Sequence, residues 1–155
     1  MHPLIEKLMA QGPVVTDGAW GTQLQARGLA PGECPDAWNL SHPDRVEAVA
    51  RSYVDAGSHV ILTNTFRSNR ITLADHGLAE KARELSRAGA EISCRSAAGR
   101  ACVFASMGPS GKMLVTGEVT EEELHAAFPE QARALAEGGA EGIVVETMTE
   151  PAEAR

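Results

Sequence analysis

The chain has 155 residues, of which 43% are hydrophobic and 23% charged, enough for one globular domain with a substantial core. A formal net charge of −7 argues against nucleic-acid binding, which needs clustered Lys and Arg. No segment approaches the roughly 20 apolar residues that span a bilayer, and the first residues lack a signal-peptide core, so a cytoplasmic protein without a membrane partner is expected.

Apolar, β-branched runs alternate with helical patterns along the chain. After a helical segment at residues 4–9, the predicted strands cover residues 13–17, 59–63, 101–106 and 142–146. The predicted helices lie between them: a short one through Gln25, one opened by Pro43 and ended by Gly57, and others at 68–75, 78–98 and 120–137. Thr120 and Glu123 have the spacing of a capping box at the start of the last helix.

This alternation is typical of a parallel sheet with helices on both faces. Two architectures fit it, a doubly wound open sheet and part of a (βα)₈ barrel. Strand ends recur about every 40 residues, and no helical pattern follows the fourth strand. The sequence therefore predicts an α/β protein made of the first four βα units of a (βα)₈ TIM-type barrel, truncated after strand 4 and spanning residues 1–155. A flavodoxin-like signalling domain is disfavoured, because it would need a last helix and a phosphoacceptor pair.

The three cysteines do not form a recognisable site in the sequence. Cys34, Cys94 and Cys102 are widely spaced, with no Cys-x₂-Cys pair, which excludes a disulfide framework and a local zinc motif. Cys94 falls in a helical pattern and Cys102 at the start of a strand, so both are expected to be small buried hydrophobic residues. Cys34 is expected in a loop.

Two carboxylates end otherwise apolar strands. Asp17 ends the first run and Glu146 the fourth, and both are expected at the carboxyl edge of the sheet, where parallel α/β folds place their chemistry. A charge there is costly unless it is paired or serves a ligand. The alternative is structural: Asp17 caps the following turn, and Glu146 pairs with an arginine or with backbone amides.

Glycine and asparagine residues accompany these carboxylates. Gly18 and Gly21 would let the backbone approach a ligand, although glycine is also common in ordinary turns. Neither a dinucleotide-binding motif nor a P-loop is present. Asn64, after the second strand, is either a hydrogen-bonding turn residue or a ligand contact.

Six short motifs, taken together and in their order along the chain, are specific for one family. They are Asp17-Gly18-Ala19-Trp20-Gly21-Thr22, Asn39-Leu40-Ser41-x-Pro43, Tyr53-x-x-Ala56-Gly57-Ser58, Thr63-Asn64-Thr65-Phe66, Ser106-x-Gly108-Pro109 and Glu146-Thr147-Met148. This set resembles the homocysteine S-methyltransferases, which include the homocysteine module of cobalamin-dependent methionine synthase, the betaine enzyme and the S-methylmethionine enzyme. The resemblance covers nearly the whole chain but only the first half of the family's domain. Trp20 departs from it, because this position more often holds Met or another medium-sized side chain.

The resemblance implies zinc-activated methyl transfer from a donor to the homocysteine thiolate, giving methionine. The zinc would be held by three cysteine thiolates, one beyond the fifth-to-sixth strands and two in a Gly-Gly-Cys-Cys motif, and all three would lie after Arg155. The chain by itself is therefore expected to bind no stoichiometric zinc and to be inactive. The donor, whether methylcobalamin, betaine or S-methylmethionine, is not distinguished by this half of the domain.

The resemblance also assigns substrate-binding roles to residues of this chain. Asp17 and Glu146 would bind the homocysteine amino group, and Gly18 and Gly21 would let the backbone approach the substrate. The ends of the second and third strands would line the pocket through Thr63, Asn64 and Ser106. An alternative function is a non-catalytic half-barrel binding module, which a partner chain or self-association through exposed strand edges would complete.

Overall fold

The structure is a computed structural model that describes residues 1–10 and 12–154. Its helices are α1 (Pro3–Met9), α2 (Trp20–Gln25), α3 (Trp38–Ser41), α4 (Pro43–Asp55), α5 (Arg70–Ala74), α6 (Ala82–Ala97) and α7 (Glu121–Glu137). Its strands are β1 (Val60–Ile61), β2 (Cys102–Met107) and β3 (Gly142–Val145), and 3₁₀ turns cover Pro35–Ala37 and Ala79–Lys81. Among these described residues, no helix is long and apolar enough to cross a membrane.

The three strands form a parallel sheet in the order β1-β2-β3, which confirms the predicted parallel α/β class. The first predicted strand is reduced to a single parallel bridge between Thr16 and Val60. Three backbone hydrogen bonds support the bridge: Asp17 N donates to Val60 O at 3.0 Å, and His59 N and Val60 N donate to Val15 O at 2.8 and 3.3 Å. Among residues 1–10 and 12–154, this segment has a bridge on one side only, and Pro13 has no N–H to contribute. The predicted four strands are therefore three strands and a bridge.

The two faces of the sheet differ in burial. Val103, Ala105 and Met107 of β2 are buried against the helices, and they contribute to two apolar clusters with residues of α4, α6 and α7. Side chains alternate between faces along a strand, so Cys102 and Phe104 point the other way and are only half-buried. The opposite, less buried face is the one that a complete barrel would turn inward.

Local chemistry sets the helix boundaries close to their predicted positions. Thr120 and Glu123 form the predicted capping box, with Glu123 N donating to Thr120 Oγ1 at 3.2 Å and Thr120 N donating to Glu123 Oε2 at 2.8 Å. Pro43 begins α4 as predicted, and Gly57 follows its end with a φ of 93°, a left-handed conformation that favours glycine. The helix predicted at 68–75 begins only at Arg70, because the Asn69 side chain caps it.

Candidate functional site

The predicted site residues follow the strands at one edge of the sheet. Asp17 follows the bridge to β1, Thr63 follows β1, Ser106 lies near the end of β2, and Glu146 comes directly after β3. Since the strands are parallel, these ends meet at the same edge. The structure therefore brings both carboxylates to the carboxyl rim.

Asp17 is half-buried and accepts two hydrogen bonds on one oxygen. Trp20 Nε1 and Leu62 N both donate to Asp17 Oδ2, each at 2.7 Å. No other residue among those described donates a hydrogen bond to the remaining oxygen, Oδ1. Burial raises the pKa of Asp17 above its usual value, the two donors oppose this shift, and the nearby negative charge of Glu146 adds to it.

Glu146 also accepts a side-chain hydrogen bond on one of its two carboxylate oxygens. Ser106 Oγ donates to Glu146 Oε1, and the Glu146 backbone N–H donates to Met107 O at 3.1 Å. Thr147 then takes a φ of 63°, an uncommon conformation for a non-glycine residue, as the chain leaves the strand. Across residues 1–10 and 12–154, no Lys or Arg forms an ion pair with either Asp17 or Glu146. The two carboxylates therefore share this rim without an ion pair to a Lys or Arg of the described residues.

Thr63 and Ser106 join the ends of two strands. Ser106 N donates to Thr63 Oγ1 at 3.1 Å, and Thr65 Oγ1 donates to Ser106 O at 2.7 Å. Thr63 and Ser106 are 2% and 3% exposed, so their hydroxyls lie beneath the rim. In this arrangement Ser106 contributes to the site through its hydrogen bond to Glu146.

Asn64 is buried, and its side chain forms hydrogen bonds to residues in and just before α3. Its Nδ2 donates to Pro35 O at 2.8 Å and to Asn39 Oδ1 at 3.0 Å, while Asn39 Nδ2 donates to the Asn64 carbonyl at 2.8 Å. These hydrogen bonds join α3 and the 35–37 turn to the loop after β1. Of the two interpretations of Asn64, these hydrogen bonds favour the structural one.

The two glycines of the first motif have different surroundings. A Cβ on Gly18 would lie 3.3 Å from the Tyr53 hydroxyl, which itself donates to Ala19 O at 2.9 Å. Gly18 therefore lets α4 approach the loop closely. A Cβ on Gly21 would meet no atom within 4 Å, so protein packing does not require a glycine there and the space beside it is open.

Asp36 is a buried carboxylate that the sequence did not indicate. It is 2% exposed, and its Oδ1 accepts from Arg67 N at 3.0 Å, which joins the 35–37 turn to the loop after β1. Burial is the main cause that raises the pKa of Asp36 to about 7. Its short motif, a polar residue after a proline, is too common to predict a buried position.

We expect Asp36→Asn to remove part of the pH dependence of stability. The folded pKa of about 7 lies above the unfolded value of about 3.9, so Asp36 stays protonated to a higher pH in the folded state than in the unfolded state. Asp36 therefore makes its full contribution to the free energy of unfolding below about pH 4. This contribution, on the order of 3 to 4 kcal/mol, is lost as the pH rises towards 7. Urea unfolding from pH 4 to 8 should show this fall in the parent protein and a flatter curve in the variant.

Asp75→Asn is the matched control for this measurement, because Asp75 is exposed at the surface. Its curve should run parallel to that of the parent protein. Parallel curves for Asp36→Asn as well would show that Asp36 does not hold a proton in the folded state at neutral pH.

The described residues do not fit a three-thiolate metal site. Cys34 packs in an apolar cluster with Leu73 and Leu85, remote in sequence from the half-buried Cys94 and Cys102. Burial raises the pKa of all three thiols, which disfavours the thiolate form that binds metal. Within residues 1–10 and 12–154, no three His, Cys, Asp or Glu side chains are arranged to hold a metal ion.

A family model described as homocysteine S-methyltransferase matches residues 14–155. The chain belongs to this family. It is 35% identical over 152 residues to a methionine synthase of Mycobacterium tuberculosis, and 36% identical over 156 residues to that of Mycobacterium leprae. These alignments cover 90% and 93% of this chain but only 13% of each synthase. The relatives are methyltransferases, and the predicted family is confirmed.

Solved structures of the homocysteine methyltransferase MmuM from Escherichia coli share the fold. The metallated form has a TM-score of 0.83 at 22% identity, over 96% of this chain and 59% of that one. The oxidised form has a TM-score of 0.81 at 21% identity, over 95% and 57%. The chain thus spans somewhat more than half the length of these structures, one of which is the metallated form of the E. coli protein.

Proposed function

We propose that this chain supplies the amino-group-binding half of a homocysteine S-methyltransferase, with the strands forming the first part of a (βα)₈ barrel. The observation that carries the proposal is the pair of carboxylates, Asp17 and Glu146, which share one rim and have no cationic partner among the described residues. The reaction would transfer a methyl group to the sulfur of homocysteine and give methionine.

The arrangement of the two carboxylates suits a primary ammonium group. One oxygen of each carboxylate is held by protein donors, Asp17 Oδ2 by Trp20 and Leu62, and Glu146 Oε1 by Ser106. The second oxygen of each then remains for a ligand. Charge-assisted hydrogen bonds from an ammonium group to two fixed acceptors are strong and set its orientation. They would also offset the repulsion between the two carboxylates, which adds to the effect of burial on the pKa of Asp17.

The remaining chemistry requires groups that the described residues do not form. By the family resemblance, a zinc ion held by three cysteine ligands would activate the thiol. We assign to this chain the binding and orientation of the substrate amine, with Thr63 and Ser106 supporting the rim and Gly18 and Gly21 beside it. Methylcobalamin, betaine and S-methylmethionine stay open as donors.

The proposal predicts amino-group recognition in the protein expressed from its complete natural gene. Isothermal titration should show tighter binding of L-homocysteine than of 4-mercaptobutyrate, which has the same thiol and carboxylate but no amino group. A charge-assisted contact to two carboxylates should separate the two dissociation constants by about a hundredfold or more. Methionine formation should be assayed with each donor alongside. Equal binding of the two thiols would overturn the proposed role of the rim.

A further inference from the structure

Trp20 contacts the rim carboxylate directly through its indole N–H. The residue begins α2, three positions after Asp17, and its Nε1 lies 2.7 Å from Asp17 Oδ2. The remainder of the ring is half-buried and packs against two apolar clusters, and its centroid lies 6.4 Å from that of Tyr53, with a tilt of 40°. The ring is therefore held firmly while its polar edge faces the carboxylate.

The two donors to Asp17 come from different parts of the fold. Leu62 N belongs to the chain just after β1, 45 positions from Asp17, whereas Trp20 belongs to the local turn. Both reach the same oxygen, Oδ2. With one donor the carboxylate can still rotate about its last bond, but with two donors on one oxygen its plane is fixed and Oδ1 is directed away from both.

We propose that Trp20 is a positioning residue for substrate recognition, whose indole N–H fixes the Asp17 carboxylate so that Oδ1 meets the amino group of the substrate. The inference rests on the proposed function and adds a residue to it. A side chain without an N–H donor cannot make this contact.

The test uses the protein expressed from its complete natural gene, and it compares two ligands in each variant. Trp20→Phe keeps an aromatic ring against Tyr53 but has no N–H, and Trp20→Met is a second variant without the donor, with a flexible side chain that adapts to the space. The dissociation constants of L-homocysteine and 4-mercaptobutyrate are measured by titration calorimetry. The readout is the ratio of the two constants, which a general loss of stability does not change.

Trp38→Phe is the matched control. Trp38 is 1% exposed, and its Nε1 donates to Glu33 Oε1 at 2.8 Å, so the control also deletes an indole–carboxylate hydrogen bond. That bond lies outside the rim described above. Trp38→Phe should therefore keep the ligand ratio of the parent protein.

We expect either Trp20 variant to bind homocysteine about tenfold more weakly and 4-mercaptobutyrate within about twofold of the parent. If the parent protein prefers homocysteine and Trp20→Phe and Trp20→Met keep that preference in full, the positioning role is wrong and the proposed function stands. If both ligands weaken equally, Trp20 acts only in packing, and the inference is again wrong. If the parent protein shows no preference, the proposed function fails and the inference fails with it.

Discussion

Replacing Asp17 with asparagine is expected to weaken homocysteine binding at neutral pH by about a hundredfold. The asparagine oxygen can still accept from Trp20 and Leu62, so the fold of the rim is kept. The negative charge is lost, however, and an NH₂ group takes the place of the oxygen that we propose faces the ligand. A charge-assisted contact on a half-buried rim is worth about 2 to 3 kcal/mol, which corresponds to this change in affinity.

Glu146→Gln should act in the same direction, because it removes the second charge while keeping an acceptor for Ser106. Calorimetry with homocysteine and 4-mercaptobutyrate separates a loss of amine binding from a general loss of binding. Only homocysteine should bind more weakly. Glu122→Gln serves as the matched control, because Glu122 is exposed in the first turn of α7. Homocysteine affinity that survives in the double variant Asp17→Asn/Glu146→Gln would contradict amine binding at this rim.

Sequence periodicity was sufficient to locate the rim. The alternation of apolar strands and helical segments predicted parallel strands, and in such a sheet every strand carries its last residues to the same edge. That geometry places Asp17 and Glu146 together although 128 residues separate them in the chain. The capping box at Thr120 was equally predictable, because its hydrogen bonds depend only on residues three positions apart.

The contacts that define each carboxylate could not be read from the sequence. Leu62 N donates to Asp17 from 45 positions away in the chain, and Asn64 donates to Pro35 from 29 positions away. Both hydrogen bonds depend on how the loops pack in three dimensions. The burial of Asp36 has the same origin, since the loop after β1 covers it. The reduced first strand shows the converse effect, because an apolar run becomes a full strand only when neighbours pair with it.

Exposed apolar side chains on β3 lead to a prediction about association. Its Ile143 and Val145 are 41% and 50% exposed, and both line a groove of about 690 Å³ with Phe128 and Met148. β3 pairs with β2 on one side, and among the described residues no strand pairs with its other side. An exposed apolar groove beside an unpaired strand edge favours association with another surface. This feature also supports the alternative of a half-barrel that is completed by a partner.

We therefore expect the polypeptide of residues 1–155, expressed as such, to self-associate at micromolar concentration. Association would remove the apolar side chains of this groove from water, and that burial is the driving force expected for it. Val145→Lys should weaken association, because it places a charge in the groove. Val115→Lys is the matched control, since Val115 is 77% exposed on a loop and does not line the groove. Light scattering over a concentration series measures the effect, and a monomeric mass for the parent polypeptide throughout the series would refute it.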